Sequence, residues 1–240
     1  MADLESVHSR ETRLNAREIK FLIDTSMAPR IQEWMRANLE PDANGDGPFR
    51  DQYATSSLYF DTEALDVFNR RGSYGRSKYR IRRYGLSPVM FLERKFRTDK
   101  LLAKRRTTVP ITEFEHLEGD TPDAGWAGCW FHRRVLVRRL RPLVQLSYIR
   151  TARLGTSTTG PVRMTIDFDL RVLPLPDRAF IPGVGLPLLE GRNVIEMKYR
   201  VALPAVFKQV IEQFQLERQP VSKYRAGLIQ LRGYDECLTS

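Results

Sequence analysis

Over most of this chain polar and apolar residues alternate at every second position, and the polar member is often Arg, Lys or Glu. A period of two sends successive side chains to opposite faces of a strand. Arg17–Ile23 begins the pattern, with Glu18 and Lys20 set against Arg17, Ile19 and Phe21. The same reasoning predicts strands over Ser56–Asp61, Ser77–Tyr84, Val89–Arg97, Leu101–Pro110, Leu143–Arg153, Val162–Leu170 and Val194–Tyr199. Gly85-Leu-Ser-Pro88 and Thr98-Asp-Lys100 have turn chemistry, so residues 77–110 read as three successive antiparallel strands.

Helical spacing replaces the alternation in a few places. Pro29 suits a first helical turn, and Ile31, Trp34, Met35 and Leu39 follow, which predicts a helix to about Asn38. Asp61 or Thr62 is placed to cap a helix carrying Leu65, Val67 and Phe68. Ile111–Leu117 and Trp126–Leu140 predict two more helices, and Pro204 opens one carrying Val206, Phe207, Val210, Ile211 and Phe214. Pro174, Pro176, Pro182 and Pro187, with Gly183 and Gly185, mark a long irregular connection. Residues 1–14 are polar and expected to be disordered. No repeat or linker interrupts the rest, so 15–235 is read as a single domain.

Charge sharpens this picture. Between Arg70 and Pro110 there are 14 Lys or Arg against Glu93 and Asp99, a local charge of +12. The whole chain carries +10, so everything else sums to −2 and the basicity is local. It points to an anionic partner. A hydrophobic content of 42% is enough for a core. Cys129 and Cys237 lie far apart without metal-ligand spacing and read as free thiols in a reducing compartment. No signal-peptide layout or membrane-spanning apolar run is present, so a cytoplasmic protein is expected, with peripheral attachment to a membrane as the alternative. Arg133, Arg134, Arg138, Arg139 and Arg141 crowd the Trp126–Leu140 helix and its end; a solvated basic face is the plainer reading, and docking of an anion or membrane the other.

Glu-x-Lys occurs three times on predicted strands, as Glu18/Lys20, Glu93/Lys95 and Glu196/Lys198. Lys78, Arg80 and Arg82 share a strand face in the same way, as do Tyr148 and Arg150. For any one strand a half-buried sheet with its charges in water explains the alternation. Closed into a barrel with apolar faces outward under the helices, such strands would instead enclose many cations and a few carboxylates. Phosphate chemistry suits that interior. Arg grips phosphate oxygens bidentately, Lys acts as a point charge, and carboxylates ligate Mg²⁺ or Mn²⁺.

These residues carry a resemblance. Arg17-Glu18-x-Lys20-Phe21, Leu58-Tyr59-Phe60-Asp61-Thr62, Lys78-Tyr-Arg80-Ile-Arg82, Leu92-Glu93-Arg-Lys95 and Lys104-Arg105 occur in that order. Tyr148-x-Arg150, Arg163-x-Thr-Ile-Asp167, Ile195-Glu196-x-Lys198-Tyr199 and Ser222-Lys223-Tyr224 complete the series. Together they resemble a VTC domain, the polyphosphate polymerase domain of the CYTH-like, or triphosphate tunnel metalloenzyme, superfamily. The resemblance implies an α+β fold: an antiparallel eight-stranded β-barrel tunnel with helices packed outside. It implies a phosphotransferase that moves the ATP γ-phosphoryl group onto a polyphosphate chain with Mn²⁺ or Mg²⁺. By motif position Lys20, Arg80, Arg82, Lys95, Arg150 and Lys223 would be the catalytic phosphate ligands. Lys78, Lys104, Tyr148, Arg163, Lys198 and Ser222 would add to the triphosphate or polyphosphate site. Glu196 is the first choice of metal ligand, with Glu18 and Glu93 beside it; Asp167 is a weaker choice.

Two other functions use the same residues: a triphosphatase on the same site, or a non-catalytic module that binds polyphosphate or inorganic phosphate. Specific nucleic-acid binding is not expected, because acids inside the basic stripe would repel a continuous backbone. Protein partners are not indicated. His8, His116 and His132 have no partners at recognisable spacing, and Trp34, Trp126 and Trp130 read as packing residues.

Overall fold

The computed structural model describes residues 12–13, 17–45, 48–97, 102–174 and 180–239. In chain order the elements are β1 (Thr12–Arg13), β2 (Arg17–Ile23), α1 (Ala28–Asn38), β3 (Glu40–Pro41), β4 (Gln52–Asp61) and β5 (Ser77–Tyr84). There follow β6 (Val89–Arg97), β7 (Leu102–Pro110), α2 (Cys129–Val137), β8 (Arg141–Ser157), β9 (Gly160–Pro174) and β10 (Leu186–Pro187). The last are β11 (Asn193–Tyr199), α3 (Ala205–Gln213) and α4 (Lys223–Thr239). The chain divides into two compact units. One is built on Ser57–Leu143; the other comprises Asn15–Ser56, Val144–Pro174 and Ile181–Ser240. Of the 1–14 segment, Thr12 and Arg13 lie among the described residues and pair with β7.

In the first unit the strands run in the order β1-β7-β6-β5-β4. Their apolar faces supply Leu58, Phe60, Tyr79, Ile81, Met90, Leu92 and Val109 to one core, which Phe131 and Val135 of α2 complete with Leu117 and Trp126. The turn at Gly85 forms as its sequence predicts: φ there is +49°, a region that suits glycine. Arg83 braces it by donating to the Ser87 and Leu86 carbonyls at 2.8 and 3.1 Å. The Thr98–Lys100 turn lies outside the described residues.

Two expected helices of this unit differ. Residues after Asp61 form turns, not a helix, because Leu65 and Arg70 take left-handed φ of 57° and 56°. The buried Asp61 carboxylate instead accepts the N–H groups of Thr62, Val67 and Phe68 at 2.7, 2.8 and 2.9 Å, so it ties the loop together. Ile111–Leu117 is a 3₁₀ segment. The helix expected over Trp126–Leu140 is shorter, Cys129–Val137, ending where Arg139 turns to a φ of 50°.

In the second unit the order is β4-β8-β9-β11-β2, with β10 on β9 and β3 on β8. The apolar faces of β2, β9 and β11 place Phe21, Met164, Ile166, Ile195 and Met197 in one core. Helices α1 and α3 cover it with Ile31, Trp34, Met35, Phe207 and Val210. The alternation seen in the sequence therefore has its simple cause: apolar positions meet helices, and charged positions lie on the other face.

The protein is thus α+β, with antiparallel ladders and several helices. The eight-stranded barrel of the sequence expectation is not closed by hydrogen bonds. The strand paths end at β1 and β2, and no ladder joins those ends among the described residues. Among the described residues β1 spans Thr12–Arg13 and pairs with β7.

Candidate functional site

One motif, Glu-x-Lys, is used in two ways, and strand pairing decides which. In the second unit, β2 and β11 run antiparallel with Lys20 opposite Glu196 and Glu18 opposite Lys198. Two copies of the same motif facing in opposite directions automatically match acid to base, a favourable cross-strand arrangement. Lys20 Nζ lies 3.2 Å from Glu18 Oε1 and 3.0 Å from Glu196 Oε1, and Lys198 Nζ is 3.8 Å from Glu18 Oε2.

The chain of charges continues inward. Lys223, the first residue of α4, donates to Glu196 Oε1 at 3.1 Å and lies 2.6 Å from Asp167 Oδ2. Arg150, opposite Asp167 in the β8–β9 ladder, grips both oxygens of that carboxylate at 2.6 and 2.7 Å. The Tyr148 ring lies 5.3 Å from both the Arg150 and Lys223 cations. Arg163 is held by Asp42 Oδ2 at 2.7 and 3.0 Å and by the Tyr53 hydroxyl at 2.9 Å. Ser222 precedes α4, and its carbonyl accepts the Ala226 N–H at 3.0 Å.

In the first unit the third Glu-x-Lys lies between two basic strands. Lys78, Lys95 and Lys104 are direct neighbours across β5, β6 and β7, and Arg80, Glu93 and Arg106 form the next row. Glu93, 2% exposed, receives Arg80 Nε on Oε2 and both Lys104 Nζ and Arg106 Nε on Oε1, each at 2.6 Å. Arg80 also donates to the Tyr59 hydroxyl at 3.1 Å, and buried Arg82 to Ser57 Oγ at 3.0 Å. A single carboxylate thus serves several cations here, whereas the second unit comes close to balance.

Burial by itself would raise the pKa of Glu93, but Arg80, Lys104, Arg82 and Arg106 hold it well below the ordinary carboxylate value. Glu196 is likewise held well below its ordinary value by Lys20, Lys223 and Arg150 against the effect of burial, and Asp167 is lowered by Arg150 and Lys223. Lys20 moves upward, since Glu196 and Glu18 outweigh its burial. Lys104 and Lys198 move the other way, to about 7 and about 8: burial outweighs their carboxylates, and neighbouring guanidinium groups add to it.

A pH dependence follows. Carboxylates with depressed folded-state pKa values contribute stability above their unfolded values and lose it as pH falls through the folded values. Thermal unfolding is therefore expected to move little between pH 7 and 5 and to fall below about 4.5, where Glu93, Asp167 and Glu196 take up protons in the unfolded chain while the folded protein still holds them charged. The raised Lys20 and Lys223 act at the alkaline end, where their contribution fades only above about 10.5. A melting temperature unchanged from pH 6 to pH 3 would contradict the burial of these pairs.

The oxygen donors can be tested for fit to a divalent ion. Among the described residues no group of three or more His, Cys, Asp or Glu gathers to enclose a metal. Glu18 and Glu196 are nevertheless bridged by one cation, the Lys20 ammonium, and the bonds from Lys20 and Lys223 to Glu196 both fall on Oε1. Two carboxylates are the set that Mg²⁺ takes when substrate oxygens and water complete its shell, so these residues fit. Glu93 belongs to the first unit, and its oxygens carry three cations. Asp167 has both oxygens taken by Arg150 and Lys223, an arrangement for holding basic groups.

The sequence pattern did not single out Arg106 or Asp42 as site residues. Arg106 could have been found by extending period two from Lys104. Asp42 sits in a turn whose partner, Arg163, is 121 residues away, and no local signal links them. His116 stacks on Trp126 at 4.9 Å and His132 bonds the Gly119 carbonyl at 2.8 Å, structural contacts in the first unit.

Antiparallel strands, helices on the apolar faces and cation-rich charge clusters on the opposite faces define the class: an α+β scaffold with its charged residues gathered away from the helices. The chain belongs to the VTC domain family, which matches residues 15–232 and so runs through both units. None of the curated proteins matches it in sequence. Among solved structures, a candidate adenylate cyclase from Bacillus halodurans shares 14% identity with a TM-score of 0.54, covering 88% of this chain and 95% of that one. This likeness shows the fold alone. A candidate adenylyl cyclase from Hippeastrum, described as having a dominant triphosphatase activity, aligns at 15% identity and a TM-score of 0.46 over 90% and 93% of the two chains. Among the described residues, no helix is long and apolar enough to cross a membrane.

Proposed function

We propose that this VTC domain is a metal-dependent phosphotransferase of the polyphosphate polymerase type, working over 15–235 as one functional domain in the tunnel form that the family likeness implies. A terminal oxygen of a phosphate chain attacks the γ-phosphorus of ATP, the bond to the β-bridging oxygen breaks, and ADP leaves. Such a transfer needs positioning and charge neutralisation more than a protein nucleophile.

The observation that carries the reading is the Lys78, Lys95, Lys104 row. Three lysines directly opposite one another on adjacent strands bring like charges together, and a bound anion would relieve their repulsion. In the next row Glu93 takes Arg80 and Arg106 as well as Lys104. Arg80, Arg82, Lys78, Lys95 and Lys104 therefore serve as phosphate ligands of the first unit. In the second unit Lys20, Arg150, Lys198 and Lys223 serve in the same way, with Tyr148, Arg163 and Ser222 beside them. Glu196 and Glu18 would hold Mn²⁺ or Mg²⁺ in place of the Lys20 ammonium, which frees that group for phosphate. The ion would supply charge neutralisation at the phosphate oxygens.

Incubation with ATP and Mn²⁺, with products resolved by length, tests the proposal. Phosphate chains that lengthen with time are the expected result. Inorganic phosphate without chains would replace polymerisation by hydrolysis, and unchanged ATP would leave a binding module.

A further inference from the structure

The exposed side of α2 carries chemistry that phosphoryl transfer leaves unused. Phe131 and Val135, four residues apart, turn one stripe of the helix into the core of the first unit. The other side presents Cys129, Trp130, Arg133, Arg134 and Val137, and with Arg105 and Ala124 these line a cavity of about 540 Å³. Arg105 lies between Lys104 and Arg106 on β7, so it projects from the opposite face of that strand. The cavity is consequently on the helix-covered side, away from the Glu93 cluster.

Its floor is held in place. Trp130 donates its indole N–H to Thr107 Oγ1 at 2.8 Å, and the Arg105 guanidinium lies 4.3 Å from the ring centroid. Arg105 and Thr107 are two residues apart on β7, so one strand face fixes the indole by its edge and by its plane. Arg133 and Arg134 are exposed and make no side-chain hydrogen bond or ion pair among the described residues. Among the described residues that line the cavity there is no carboxylate. Three guanidinium groups around one recess concentrate positive potential in it. Planar guanidinium forks match phosphate oxygens, and a recess admits a slender chain where a flat bilayer would meet only the rim.

We propose that this cavity is a second phosphate-binding site, which takes a soluble oligophosphate between Arg105, Arg133 and Arg134 above the Trp130 ring. It does not depend on turnover in the charged sheet clusters.

Cys129 reports occupancy directly, because its free thiol lines the cavity. In a Cys237→Ser background, labelling by N-ethylmaleimide is timed with and without tripolyphosphate. At ten times the dissociation constant, tripolyphosphate should slow labelling about tenfold. The Arg133→Glu/Arg134→Glu variant should lose this protection while keeping its circular dichroism and melting temperature. Protection that survives in the double variant overturns the proposal. So does protection matched by sodium chloride at equal ionic strength, protection given only by anionic lipid vesicles, or no protection at all.

Discussion

Asp167→Asn is expected to lower the unfolding free energy by about 3–5 kcal/mol, measured by urea denaturation at pH 7. Asp167 is fully buried, and its two oxygens take Arg150 Nε, Arg150 Nη2 and Lys223 Nζ, all between 2.6 and 2.7 Å. Asparagine is nearly isosteric and keeps one acceptor, so the loss reports charge, not shape. It leaves a guanidinium and an ammonium buried with only Glu196 to balance them. Breaking a buried pair in this way costs far more than the pair contributes as a whole, since one partner stays desolvated. Stability is only about 5–15 kcal/mol for a typical domain, so the variant should be folded but visibly weakened. Adding Lys223→Met should restore part of the loss, giving a coupling energy in a double-mutant cycle. A change below about 1 kcal/mol for Asp167→Asn would be typical of an exposed pair and would refute the buried arrangement.

Glu196→Gln is expected to remove ATP turnover by about a hundredfold to a thousandfold while disturbing the fold less than Asp167→Asn does. The amide oxygen can still accept from Lys20 and Lys223, which bond Glu196 Oε1 at 3.0 and 3.1 Å. What disappears is the negative charge that a divalent ion requires. The diagnostic is the pairing of results: activity lost, Mn²⁺ dependence of any residual rate weakened, and nucleotide binding retained. Retained turnover with an unchanged Mn²⁺ dependence would remove Glu196 from the metal site and, with it, the role assigned to Lys20.

The strands of this protein were readable because their two faces meet different surroundings. Ser77–Tyr84 and Val89–Arg97 occur with the boundaries that alternation predicts, since Tyr79, Ile81, Met90 and Leu92 must face a core and Arg80, Arg82, Glu93 and Lys95 must not. The helix expected after Asp61 failed for a local reason. A capping residue and three apolar positions satisfy the pattern equally well when the side chain ties a loop, and only the backbone at Leu65 and Arg70 distinguishes the two. The span of α2 was overestimated because Arg138 to Leu140 continue the spacing after the backbone has turned.

Site chemistry separates along the same line. Residue types and period two determined which side chains share a strand face: Glu18 with Lys20, Lys78 with Arg80 and Arg82, Glu196 with Lys198. They also gave the expectation of an anionic partner, since so local an excess of cations attracts one. Only the tertiary structure decided which faces meet. Pairing β2 with β11 matched two Glu-x-Lys motifs into a nearly neutral set, while pairing β6 with β5 and β7 placed Glu93 among several cations. Asp167 became a clamp on Arg150 and Lys223, and Arg163 was tied to Asp42, through contacts 17, 56 and 121 residues apart in sequence. Alternation is a property of one strand and is written locally; register and neighbour are set by the competition of all strands for pairing, which no single stretch encodes.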